Sequence, residues 1–155
     1  DQSTPASIGV AAELLDALDP FRPDREFAEI AAQVVETHGS RIESNPLQHA
    51  SLTLAADTVS RGMLELTMVA DDPPEDWYNT LADRHLDPYA LFWRPVTAET
   101  RTAWLDTLGL DEEPAVWADR ELKNDGPTVY ACRAQTCSPP RNQLARALDW
   151  AEHTL

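Results

Sequence analysis

The most intrinsically reactive side chains in this sequence are Cys132 and Cys137, its two cysteines, set five positions apart. That spacing matches neither the Cys-x-x-Cys of a redox helix nor half of a zinc knuckle. Cys132 ends an apolar strand-like run and Cys137 falls in the turn after it. Two structural thiols, a short-loop disulfide, or a small redox or ligand-binding module all remain compatible with this thiol pair. The four histidines, His38, His49, His85 and His153, are scattered over separate segments. They do not assemble with the thiols into a four-ligand set, so no metal and no cofactor is expected.

A second candidate is the pair Asp71 and Asp72, which follows a strand-like run where the strand ends of α/β sheets hold ligands. Pro73-Pro74 stands where a Gly-rich phosphate loop would be needed, and two carboxylates repel a phosphate. These acids are therefore read as a helix-capping turn. Trp77, Trp93, Trp104, Trp117 and Trp150 could stack on sugar rings, but their apolar neighbours favour packing. Among twenty-seven acids any glycosidase-like pair could be nominated, and no nucleophile elbow is present. No complete active site is legible, so whether the chain belongs to an enzyme stays open.

The elements that must carry these residues follow from periodicity. Residues 8–19 repeat Ile8, Ala11, Ala12, Leu15 and Leu18 at helical spacing, closed by Pro20. Residues 24–43 form a second helix with Asp24 as N-cap and Phe27, Ile30, Ala31, Val34 and Val35 on one face. Leu47, Ala50, Leu54, Ala55 and Val59 give a third, stopping at Arg61-Gly62. The period then changes. Strands are expected at 64–70, 89–94, 115–119 and 128–132, with helices at about 75–86, 98–108 (capped by Thr97, with Trp104, Leu105 and Leu108 inward) and 142–153. The alternation argues for parallel pairing through right-handed crossovers. The expected class is α/β (α+β overall): terminal helices over residues 1–62, then a small, mostly parallel layer of three or four strands over 63–155.

Charge narrows the function classes. The formal net charge is -15, spread along the chain, and Lys123 is the single lysine. Such a surface repels phosphodiester backbones and anionic lipids, so neither nucleic acid nor membrane is an expected partner. No run approaches the roughly 20 apolar residues of a membrane span. The chain begins at Asp1 with no secretory pattern, and is read as a fragment of a soluble, cytoplasmic protein. Abundant Asp with arginine replacing lysine resembles proteins of salt-loving archaea.

Three stretches carry a family resemblance. Thr128-Val129-Tyr130-Ala131-Cys132, with Cys137 and Pro139-Pro140 following, resembles the C-terminal signature of thioredoxin-domain-containing proteins, the spermatogenesis-associated protein twenty-like family. Leu64-Glu65-Leu66-Thr67-Met68-Val69-Ala70-Asp71 resembles the family's strand ending in a small residue and Asp. Asp1-Gln2-Ser3-Thr4-Pro5-Ala6-Ser7 resembles its entry to a barrel helix. The resemblance implies an upstream thioredoxin-like domain and a six-hairpin (α/α) barrel similar to carbohydrate-metabolising epimerases, of which this chain holds the last helices plus the α/β domain. It nominates Asp1, Ser3 and Ser7 as barrel-face residues, half of a carbohydrate-processing site completed only in the full-length protein. The favoured expectation is a non-catalytic structural or interaction fragment whose partners are the upstream domains, with self-association through exposed helix faces. The halophilic reading has a direct check: melting temperature should rise from low to molar KCl, and a flat or falling curve refutes it.

Overall fold

The computed structural model describes residues 5–86, 88–134 and 136–153. The chain divides into two compact units, Asp1–Met63 and Leu64–Leu155. The class is the expected α/β with an α+β character, six α-helices and a four-stranded sheet among the described residues.

The first unit contains α1 (Ser7–Leu18), α2 (Phe27–Ser44) and α3 (Ala50–Arg61), each packed on the other two. Its centre is built of small residues. Ala12, Ala31 and Ala55 are fully buried, edged by Leu15, Val34, Val35 and Val59. Gly9 explains why. A Cβ built there would lie 2.5 Å from the backbone carbon of Ser51, so the α1 backbone rests directly on α3. Ser51 Oγ also accepts a hydrogen bond from the Ala6 amide at 3.0 Å. This close approach favours alanines at the centre of the three helices, although Leu52 of α3 is buried as well, and it corrects the expected inward faces. Ile8, Leu18, Ile30 and Leu54 are exposed, as is Leu47.

The start of α2 also departs from expectation. Asp24 lies in a 3-10 turn, Pro23–Arg25, and Glu26 precedes the helix in the left-handed region at φ 55° without capping it. The cap comes from further back: Asp19 Oδ1 accepts the Ala28 amide at 2.9 Å. Burial, with the neighbouring Asp19 charge, raises the pKa of Asp16. A carboxyl whose folded pKa exceeds its unfolded one binds its proton more tightly when folded. Asp16 therefore opposes folding at neutral pH, and this opposition fades as pH falls through its raised pKa.

The second unit is a sheet ordered β2-β1-β3-β4, from β1 (Leu64–Val69), β2 (Tyr89–Arg94), β3 (Thr128–Arg133) and β4 (Thr136–Cys137). α4 (Glu75–Asp83) links β1 to its parallel neighbour β2, and α5 (Ala98–Leu108) follows β2. The Thr97 hydroxyl accepts the Thr100 amide and caps α5 as expected, whereas Leu108 is exposed rather than inward. The sheet is mixed rather than mostly parallel, because β3 runs antiparallel to β1 and β4 antiparallel to β3. The expected strand at 115–119 is instead a 3-10 turn, Ala115–Trp117, closed by hydrogen bonds from the Trp117 amide to the Pro114 carbonyl and from the Ala118 amide to the Ala115 carbonyl. Four apolar residues after a proline are too few to commit to a strand, and without that strand no second crossover forms.

One face of the sheet packs on α6 (Leu144–His153) and Trp77 of α4. Leu64, Leu66, Met68, Val129, Ala131, Leu144, Ala147, Leu148 and Ala151 form this core. Arg84 Nη2 fixes α6 from outside by pairing with Asp149 at 2.8 Å.

The Gly9 contact yields a prediction. Gly9→Ala should destabilise the helical unit by about 1–3 kcal/mol, because the added methyl meets main chain that cannot rotate away. Urea denaturation monitored by circular dichroism measures the shift in midpoint.

Candidate functional site

Alternation along β3 places Val129 and Ala131 in the α6 core and turns Thr128, Tyr130 and Cys132 to the other face. There Cys132 sits opposite Cys137 of β4 in the antiparallel register, and the two form a disulfide with Cα atoms 4.0 Å apart. Cys137 therefore lies in a short strand rather than a turn. The hairpin turns at Ala134, which takes φ 45°. Cys132 is 6% exposed, whereas Cys137 is open to solvent.

The residue that completes the cluster is Arg120. Its Nη2 donates to Cys132 Sγ at 3.2 Å and to Cys137 Sγ at 3.4 Å. Its guanidinium carbon stands 4.9 Å from the centre of the Tyr130 ring, a cation–π contact. Its Nε is buried without an acceptor. No described carboxylate pairs with Arg120, although acids outnumber Lys and Arg by 27 to 12.

Tyr130 holds this arginine in place through the backbone. Its hydroxyl donates to the Glu121 carbonyl at 2.7 Å and accepts the Glu121 amide at 3.1 Å. One phenol thus fixes the segment that leaves the 3-10 turn through Asp119, itself at φ 58°. Further along, Lys123 pairs with Gly126 across Asn124 and Asp125, both left-handed at φ 55° as a type I′ turn requires. Thr128 Oγ1 accepts the Lys123 amide at 2.8 Å, and the Asn142 side-chain amide donates to the carbonyls of Lys123 and Pro127 at 3.0 and 2.8 Å. The whole connection is pinned to β3.

The other sequence candidates are not brought together with this cluster. Asp71 Oδ1 accepts the amides of Val96 and Thr97 at 2.8 and 2.9 Å, tying the loop after β1 to the loop after β2. It caps that loop and not α4, whose start at Pro74 has no side-chain cap. Asp72 beside it is exposed. Ser7 is the exposed first residue of α1, while Asp1 and Ser3 lie outside the described residues. Trp77 and Trp117 are each 1% exposed, and Trp117 packs 4.9 Å from Trp104, so neither is a free stacking platform. Among the described residues no group of three or more His, Cys, Asp or Glu could hold a metal ion, and no helix is long and apolar enough to cross a membrane.

The chemistry available here is that of a cystine with one open and one shielded sulfur, both within reach of one fixed cation. Nothing in the local sequence marks Arg120, twelve positions before Cys132. Comparison with known proteins adds no assignment: no family model, curated protein or solved structure matches the chain.

Tyr130→Phe should keep the fold but lose both hydroxyl bonds, costing about 1–2 kcal/mol and loosening the Arg120 segment. Hydrogen exchange should then show faster exchange at the Glu121 amide, with the amides of β1 unchanged.

Proposed function

We propose that this chain acts as a non-catalytic structural and interaction module, the C-terminal part of a protein similar to the thioredoxin-domain-containing family. On this reading its helical unit supports further helices of an (α/α) barrel. Its partners are the upstream domains of the same cytoplasmic polypeptide, not nucleic acid or membrane.

The observation that carries this reading is the outer surface of α1. The helix buries only Gly9 and Ala12, while Val10, Leu14 and Leu18, one helical repeat apart, are 38%, 58% and 47% exposed. Side chains four apart stack along one face, and this stripe lies roughly opposite the one that meets α3. A helix apolar on two sides is built to be covered on two sides. Exposed Ile30 on α2 and Leu54 on α3 extend the same character to the other two helices. The acidic surface supports the exclusion of polyanionic partners.

The isolated chain should self-associate reversibly in sedimentation velocity, and Leu14→Glu combined with Leu18→Glu should return it to a monomer without unfolding it. A clean wild-type monomer at every salt concentration contradicts the reading.

A further inference from the structure

We infer that the Cys132–Cys137 cystine is a thiol–disulfide exchange centre in which Cys137 is the attacked sulfur, Cys132 the leaving thiolate and Arg120 the residue that stabilises it. The cystine lies in the sheet unit and is consumed in the exchange, so its reactivity stands apart from the non-catalytic role of the helical surface.

As a staple this bridge contributes less than one that closes a long loop. It closes a loop between residues only five apart, in a hairpin already held by the Ser138 amide to the Ala131 carbonyl at 2.7 Å, and short loops remove little chain entropy. What the bridge does have is polarity. One sulfur faces solvent and the other is shielded, so an incoming thiolate reaches Cys137 first. Exchange is faster when the departing sulfur is a stabilised thiolate, and a fixed guanidinium 3.2 Å from Cys132 Sγ and 3.4 Å from Cys137 Sγ provides that stabilisation, while the difference in exposure sets which sulfur is attacked and which departs. The arginine is held ready by Tyr130, and no described carboxylate competes for it. Of the neighbouring charged residues, Glu65 of β1 is the ladder partner of Cys132, and Arg133 follows Cys132 in β3 and is turned to the other face of the sheet.

The substrate class is a thiol. A thiolate attacks Cys137 Sγ, the S–S bond breaks, and its electron pair leaves on Cys132, giving a mixed disulfide at Cys137. A second thiolate attacks the outer sulfur of that mixed disulfide and releases Cys137 as a thiolate. The protons of the two thiols end on Cys132 and Cys137. The cystine gains two electrons, and the two thiols are joined as a disulfide.

The test uses the folded, oxidised chain with 2-mercaptoethanol at neutral pH, with acid quenching, alkylation of free thiols and peptide mass spectrometry. Reduction should proceed while circular dichroism remains that of the folded protein, and early time points should carry the adduct on Cys137. Arg120→Leu should slow reduction about tenfold, taking the ordinary influence of an opposite charge on a thiolate and the partial sensitivity of exchange to the leaving group. Arg120→Lys, which keeps the charge, should recover most of the rate, and it decides the matter if Arg120→Leu does not fold. An adduct on Cys132, a rate independent of charge at position 120, or reduction only upon unfolding would each overturn the inference.

Discussion

The sheet unit is organised around β1, which is paired on both edges. From Leu64 to Val69 it runs parallel to β2, and from Glu65 to Val69 it is antiparallel to β3. A strand paired on both sides has no free backbone donors or acceptors to rearrange, so the positions of its neighbours are fixed by register. That register puts Leu66 beside Ala131 and Met68 beside Val129, facing α6, and thereby sends Tyr130 and Cys132 to the opposite face. The disulfide, the phenol and the arginine share one place because β1 leaves β3 no other alignment.

The helical unit obeys a different constraint, contact between main chains. Gly9 against Ser51 fixes the approach of α1 to α3, and the buried alanines follow from it. Close packing of small residues gives precise geometry but buries little apolar area per residue. Larger apolar side chains of α1 such as Leu14 and Leu18 are left on the outside, so the Gly9 contact is consistent with both the alanine core and the outward stripe on α1.

Much of the architecture was legible in the sequence because it depends on local chemistry. β2 and α5 begin and end where alternation, the Thr97 cap and the period of apolar residues place them. The alanine core was not legible, since periodicity identifies apolar faces but does not reveal which one approaches a neighbouring backbone. The four-residue apolar run after Pro114 has the composition of a strand, but so short a run carries no period to distinguish a strand from a 3-10 turn. Of the candidate site, the cysteines stood out by type alone. Arg120 did not, because its approach depends on a left-handed Asp119 and on a phenol nine residues beyond Glu121.

A chain with one lysine presents a single side-chain ε-amine, and here that amine belongs to a residue whose backbone is held by Thr128 and Asn142. Apart from the α-amino group, an amine-reactive fluorophore would therefore attach at one defined side chain, at the mouth of the type I′ turn and a few residues from Arg120. Its anisotropy would follow the tightness of that connection in real time.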